Sequence, residues 1–236
     1  MNVGIIGNGG REHAICYALR KSENINEIYC FPGNAGTSSI ANNIKLDLKN
    51  FDELKKFILS NKIDLIIVGP EKFLVNGIVN FLEKNNIKVF GPSKDAAQLE
   101  GSKIFTKILC EKYNIPTAKF GIFKSINEAS EFIKKKKYPL VIKADGLASG
   151  KGVYICKSES EAYLSIKEIF GGKFGKAENI LIEEFLDGEE MSYFIITDGK
   201  TIKTFETAQD HKRALEGDLG KNTGGMGAYS PSRLIN

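Results

Sequence analysis

Short apolar runs alternate with helical stretches from Val3 to Ser93, and each run stops at glycine or proline. Val3–Ile6 precedes Gly7-Asn8-Gly9-Gly10-Arg11-Glu12-His13 and a helix to about Lys21. Glu27–Phe31 reads as a second strand and ends in Pro32-Gly33-Asn34-Ala35-Gly36. A helix over Phe51–Leu59 leads to a strand over Asp64–Val68, which stops at Gly69-Pro70-Glu71. A helix over Leu74–Glu83 and a strand over Lys88–Phe90 follow, closed by Gly91-Pro92-Ser93. Runs this short, rich in β-branched residues and bounded by turn formers, suit strands. Strands alternating with helices require right-handed crossovers, so this part of the chain predicts a doubly wound parallel sheet. Ligands bind such sheets beyond the C-terminal strand ends. Those ends carry GNGGRE, PGNAG and GPE, the segments rich in glycine and polar groups.

A dinucleotide site is the first reading to test, and it fails on two residues. The first loop begins as G-x-G, but Glu12 holds the third glycine position. A carboxylate at the start of a helix takes the place a pyrophosphate needs. The second strand ends in Phe31-Pro32, with no acid placed for a ribose. A monophosphate or sugar-phosphate site on the Gly9 and Gly10 amides and Arg11 stays open. Glu12 also fits as an acid that offsets the helix dipole.

In the second half, a helix is predicted from Gly101 to about Tyr113, closed by Pro116. Lys103 and Lys107 lie one turn apart on it. Lys103 is a candidate ligand, and Lys107 is read as exposed helix charge. A strand over Phe120–Phe123 and a helix over Asn127–Lys136 lead to Pro139–Val153, PLVIKADGLASGKGV. There an apolar run ends in Lys143, a segment with Gly146, Gly150, Lys151 and Gly152 follows, and Val153–Cys156 is apolar again. Strand, glycine loop, strand is the assignment. Glycines let backbone N–H groups approach an anion, and the lysines add charge, so the loop suits a flap over phosphates. A glycine-rich hairpin with surface lysines is equally compatible with this stretch alone. It is not a P-loop: three residues separate Gly146 from Gly150, Gly152 follows the lysine, and a strand replaces the helix.

A helix over Glu159–Phe170 precedes the strand Ile180–Ile182, which runs into Glu183-Glu184-Phe185-Leu186-Asp187-Gly188-Glu189-Glu190. An apolar strand that delivers carboxylates and a free backbone edge suits adenine, with a later acid for ribose hydroxyls. A polar surface turn is the other reading. Met191–Thr197 and Lys203–Thr207, around Asp198-Gly199, predict an antiparallel hairpin. Asp210, His211, Lys212 and Arg213 form an anion-binding cluster. Asn222–Tyr229, with Gly224 and Gly225, reads as a loop that a ligand can approach closely.

Composition narrows the class. Two histidines and four cysteines without a Cys-x-x-Cys pair argue against a zinc site and for reduced core thiols. The net charge of +4 is mild, and Lys134–Lys137 reads as a solvated helix end rather than a nucleic-acid patch. No apolar run has the length of a membrane span, and no signal peptide precedes the first strand, so a cytoplasmic chain is expected.

In order along the whole chain, GNGGREH, PGNAG, VGPE, GSK, VIKADGLASGKGV, IEEFLDGEE, QDHKR and NTGGMGAYSP resemble the phosphoribosylamine–glycine ligase family. These are also called glycinamide ribonucleotide synthetases, ATP-grasp enzymes of purine synthesis. The resemblance implies an α/β chain: an N-terminal doubly wound parallel sheet followed by a partial ATP-grasp domain of α+β type. It puts a Rossmann-like substrate domain at 1–100. The ATP-grasp domain would occupy 101–236, incomplete at its C-terminus, with a small nucleotide-flap subdomain over about 115–190. It implies condensation of glycine with 5-phosphoribosylamine, driven by ATP with magnesium or manganese, through glycyl phosphate. Phosphoryl transfer to a carboxylate is mostly positioning and charge neutralisation. That agrees with the lack of an activated Ser or Cys, and no catalytic residue is assigned.

By the same resemblance, Lys103, Lys143, Gly150, Lys151 and Gly152 meet ATP phosphates, Glu183 and Leu186 adenine, and Glu190 the ribose. Gly9, Gly10, Glu12 and Glu71 form part of the phosphoribosylamine side, and Asp210, Lys212, Gly224 and Gly225 line the acceptor region. The family's chain continues past the position matching Asn236, and that part holds its metal ligands. A fragment is therefore expected, with no metal ligand of its own and with the missing portion as a partner beside its small-molecule substrates; no nucleic acid or membrane partner is implied. Another ATP-grasp carboxylate–amine ligase, or a non-catalytic nucleotide- or sugar-phosphate-binding remnant, are the alternatives.

Overall fold

β1 (Asn2–Gly7) is apolar toward both of its faces, and both faces are covered. The computed structural model of the chain describes residues 1–147 and 152–235. They divide into two units, Met1–Thr106 and Lys107–Asn236, and β1 is the centre of the first. After it come α1 (Gly10–Arg20), β2 (Glu27–Pro32), β3 (Asn42–Asn43), α2 (Phe51–Ser60) and β4 (Leu65–Val68). Then follow α3 (Glu71–Val75), α4 (Ile78–Lys84), β5 (Val89–Phe90) and α5 (Gln98–Gly101). The strands pair in parallel in the order β3-β2-β1-β4-β5. The chain winds outward from β1 to β3 and returns to β4, so the strand order reverses between β1 and β4.

Strand alternation decides which side each residue buries. Val3, Ile5, Ile28 and Cys30 pack with Cys16 of α1. Ile6, Phe31, Ile66 and Val68 pack with Leu54 and Ile58 of α2 and Ile78 and Leu82 of α4. The single helix expected over Leu74–Glu83 is two. Gly77 stands at φ +85°, its N–H closes on Leu74 O at 2.9 Å, and α4 restarts beyond it. The two-residue β3 carries no apolar signal and was not foreseen.

Cys16 and Cys30 are fully buried free thiols with sulfurs 3.1 Å apart, while Cys110 is only half-buried. Burial pushes the Cys30 thiol from an ordinary value near 9 up to about 12. A raised thiol contributes stability that is complete below pH 9 and is lost as pH rises through the interval to about 12. The loss is expected to reach about 2 kcal/mol near pH 10.5 and about 4 kcal/mol by pH 12. Urea unfolding across that range should show it, and Cys30→Ala should flatten it. Parallel alkaline losses in both chains would refute the assignment.

The second unit begins within α6 (Lys103–Lys112) and continues through β6 (Phe120–Phe123), α7 (Ile126–Ile133), β7 (Leu140–Ala144) and β8 (Val153–Cys156). α8 (Glu159–Phe170) and β9 (Ile180–Glu184) complete a four-stranded antiparallel sheet, β6-β9-β7-β8, with two helices on one side. Ser125 and Ser158 cap α7 and α8, each side chain accepting from the N–H of a glutamate three residues on, Glu128 and Glu161. Ala129, Ile133, Ala162, Ile166 and Ile169 cover Leu140, Ile142, Ala144, Ile180 and Ile182. Alternation therefore sends Val141, Lys143, Leu181 and Glu183 to the opposite face.

Beyond β9 lie two antiparallel pairs, β10 (Ile195–Thr197) with β11 (Ile202–Thr204), and β12 (Gln209–Leu215) with β13 (Leu219–Tyr229). The stretch read as a loop, Asn222–Tyr229, is part of β13. Its glycines serve an irregular strand: the register shifts twice between His211 and Leu215, and Gly225 stands at φ +125°. β10 and β11 are exposed at every position, Ile195, Ile196 and Ile202 included. Among the described residues no helix is long and apolar enough to cross a membrane.

Candidate functional site

In the first unit the three glycine-rich loops converge at the C-terminal edge of the sheet, where its strand order reverses. Glu12, in the first turn of α1, folds back and accepts the Gly9 N–H at 2.7 Å and Arg11 Nε at 2.8 Å. It is half of a capping box, since its N-cap partner is a glycine without a side chain. Arg11 reaches on to Glu71 Oε1 at 2.9 Å, tying the loop after β1 to the loop after β4. Partial burial opposes ionisation of Glu71, and the Arg11 guanidinium together with a backbone hydrogen bond more than offsets it, holding the carboxyl below its usual range. Asn34 donates to Asn8 O at 2.9 Å, bringing in the PGNAG turn.

Glycine is required here because Glu12 is buried. A Cβ on Gly69 would lie 1.9 Å from Glu12 Oε1, and one on Gly7 2.6 Å from its Cγ and Cδ. Gly9, Gly10, Glu12 and Glu71 thus fall at one edge, with the Glu12 carboxylate already committed to its own loop. A helix N-terminus with glycine amides and an arginine held at its rim can accept an anion.

The second unit carries a buried charge cluster on the sheet face away from α7 and α8. Glu183 pairs in register with Val141 of β7, so Lys143 is its diagonal neighbour on the same face. Lys143 Nζ donates to Glu183 Oε2 at 2.8 Å. Lys107 Nζ stands 3.2 Å from Glu183 Oε1, yet no donor is aligned on that oxygen, so this contact is coulombic rather than a directed hydrogen bond. The Lys107 ammonium is instead directed at Thr117 Oγ1, at 2.6 Å, and Ala118 O, at 3.2 Å. Side-chain exposure is 5% for Glu183, 11% for Lys107 and 26% for Lys143.

Lys107 is therefore not the exposed helix charge its position suggested. Its partners come from segments distant in sequence, the Thr117-Ala118 stretch and β9, and helical periodicity carries no sign of them. Two cations face one carboxylate, and the surplus positive charge lies toward Lys143, the more accessible of the pair. Such an arrangement suits an anion that replaces the carboxylate as the Lys143 partner.

The remaining candidates spread beyond this cluster. Ala144 N–H meets Gly152 O at 2.8 Å, fixing one end of the predicted flap, whereas Gly150 and Lys151 lie outside the described residues. Lys103 heads α6 and is half-buried. Leu186 is 65% exposed on the segment that leaves β9. Glu190 accepts from Lys212 at 2.7 Å, and Asp210 stands 3.8 Å from the same ammonium. Glu190 is the largest cause that raises the Lys212 ammonium above its ordinary range. Gly224 and Gly225 lie in β13, where Thr223 Oγ1 donates to Lys212 O at 2.8 Å and accepts from Gly225 N at 3.0 Å. A predicted ribose ligand, Glu190, and two predicted acceptor-side residues, Asp210 and Gly225, are thus linked through Lys212, Gly225 by way of Thr223.

Comparison with known proteins matches the chain to a family. Residues 1–100 match the phosphoribosylglycinamide synthetase N domain, and residues 101–236 match the ATP-grasp (A) domain of the same synthetase. A phosphoribosylamine–glycine ligase of Mesorhizobium japonicum is 49% identical over all of this chain and 56% of its own length. One from Agrobacterium fabrum is 48% identical over the same shares. The crystal structure of phosphoribosylamine–glycine ligase from Thermotoga maritima superposes with a TM-score of 0.84 at 37% identity, covering 98% of this chain and 56% of that one. An N5-carboxyaminoimidazole synthetase from Staphylococcus aureus, at TM-score 0.70 and 18% identity over 89% of this chain and 54% of its own, shares the fold. The chain spans about half the length of the curated relatives it matches. The chain belongs to the phosphoribosylglycinamide synthetase family, its N-domain and ATP-grasp matches meeting between Glu100 and Gly101.

Proposed function

We propose that this chain supplies the nucleotide- and amine-binding portion of a cytoplasmic ATP-dependent C–N ligase. That ligase joins glycine to 5-phosphoribosylamine and yields glycinamide ribonucleotide, ADP and phosphate by way of glycyl phosphate. The observation that carries the reading is the buried Lys107–Glu183–Lys143 cluster, whose surplus positive charge lies beside the strand that leads into the glycine flap. The names of relatives at 48–49% identity supply the substrates. Lys103, Lys143, Gly150, Lys151 and Gly152 would hold the phosphates, the segment of Glu183 and Leu186 the adenine, and Glu190 the ribose. Gly9, Gly10 and Glu71 would face phosphoribosylamine, with Glu12 shaping their loop; Asp210, Lys212, Gly224 and Gly225 would line the acceptor side.

The chain's own residues then act by holding and orienting. Lysines and glycine amides neutralise phosphate charge and fix the distance between reacting groups, which is most of what phosphoryl transfer to a carboxylate requires. A magnesium or manganese ion would supply further neutralisation of phosphate charge; among the described residues no group of three or more His, Cys, Asp or Glu stands together to hold one. Its ligands belong, on this reading, to the remaining length of the relatives, which is also the partner expected for the chain.

The test is ADP release from MgATP with glycine and freshly generated phosphoribosylamine, each omitted in turn. The chain mixed with the C-terminal portion of a relative is expected to release ADP only when both substrates are present. Release indifferent to glycine or the amine would point to another ATP-grasp ligase. No release from the mixture would leave a binding remnant and refute the ligase reading.

A further inference from the structure

Of the two lysines that face Glu183, one is anchored and one is placed to move. We infer that Lys107 is a positioning residue: it keeps the Glu183 carboxylate neutralised while Lys143 turns from that carboxylate to a nucleotide phosphate. The inference rests on the nucleotide reading of Lys143 given above.

A carboxylate with 5% side-chain exposure cannot be stripped of every cation without a large desolvation penalty. If Lys143 were its sole partner, each phosphate bound would have to overcome that penalty. Lys107 removes the problem because its own position is fixed. Its ammonium is held by Thr117 Oγ1 and Ala118 O, and the Phe120 ring lies 5.6 Å away. Lys143 is more than twice as exposed, and its hydrogen bond goes to Glu183 itself. Glu183 Oε1, with Lys107 at 3.2 Å and no aligned donor, retains an interaction not fully used. That interaction can strengthen as Lys143 departs, so the carboxylate exchanges one partner for another already in place.

Calorimetric titration of the full 236-residue chain with ATP, and separately with adenosine, tests this. Lys107→Met is expected to weaken ATP on the order of 10- to 100-fold, the worth of one charge-assisted contact to phosphate, with adenosine changed by less than about twofold. A merely structural role would weaken both ligands alike. Lys107→Arg should recover most of the ATP affinity, because it returns a cation to the Glu183 carboxylate. If Lys107→Met does not fold, Thr117→Val loosens the Lys107 anchor and leaves its charge; ATP should weaken several-fold and adenosine hold.

Equal losses for the two ligands, unchanged ATP affinity in Lys107→Met, or a Lys107→Arg chain no better than Lys107→Met would each overturn the inference. A parent chain that binds adenosine but not ATP would instead overturn the phosphate role of Lys143, and the positioning role with it.

Discussion

A Glu183→Ala chain is expected to lose about 3–5 kcal/mol of stability, all of it in the second unit, because two ammonium groups are left facing a void. Lys107 and Lys143 have 11% and 26% side-chain exposure, so water reaches the first poorly and the second in part. Urea unfolding followed by far-UV circular dichroism measures the loss. Replacing all three charges with Leu or Met of similar volume should restore most of it, since a well-packed apolar cluster is often as stable as a buried ion pair. A Glu183→Ala loss below about 1 kcal/mol would mean the lysines readily find other partners, and the cluster would not be the electrostatic unit described above.

The second large effect is expected in the first unit. Gly7 has a φ of +131°, a region closed to side chains, and a Cβ there would lie 2.6 Å from the buried Glu12. Backbone strain of about 1–3 kcal/mol and overpacking of about 1–3 kcal/mol add, so Gly7→Ala should cost about 2–6 kcal/mol. Gly10 is the internal control. It opens α1, and a Cβ there meets nothing within 4 Å, so Gly10→Ala should be neutral or slightly stabilising. Thermal unfolding compares the two, and equal melting temperatures would show that Glu12 swings aside freely. The Arg11–Glu71 bridge would then not be held by the loop.

Much of this was legible in the sequence, for reasons that differ by region. The parallel sheet follows from its strand–helix alternation, because the period changes between 2 and 3.6 wherever the element changes. The glycine-rich loops could be placed at one edge without coordinates, since topology alone puts the C-terminal ends of parallel strands together. Glu12 as a helix-start acid was also readable, although not its burial against Gly7 and Gly69. Lys107 was misread because a lysine one turn from Lys103 and Glu111 on a helix looks solvated until Thr117 and Glu183 close over it. Asn222–Tyr229 was misread because its glycines signal a turn, whereas here they absorb register shifts in a long strand. The division of α3 from α4 was signalled by Gly77 alone, and a single glycine in a helical pattern does not reveal the sign of its φ.

The diagonal placement of Lys143 and Glu183 also bears on how the second unit assembles. β7 and β9 are neighbours in the sheet although residues 145–179 separate them in sequence, so their alignment has to be set across a long closure. A slip of one residue in either strand would turn its charged side chain into the layer beneath α7 and α8, among Ile142, Ile166 and Ile182. An unpaired charge in that layer is far costlier than a misplaced valine. A sheet of leucine and isoleucine alone would tolerate the misaligned form as a near-degenerate competitor. The ion pair thus acts as a check on fidelity, penalising misassembled sheets before any ligand is present.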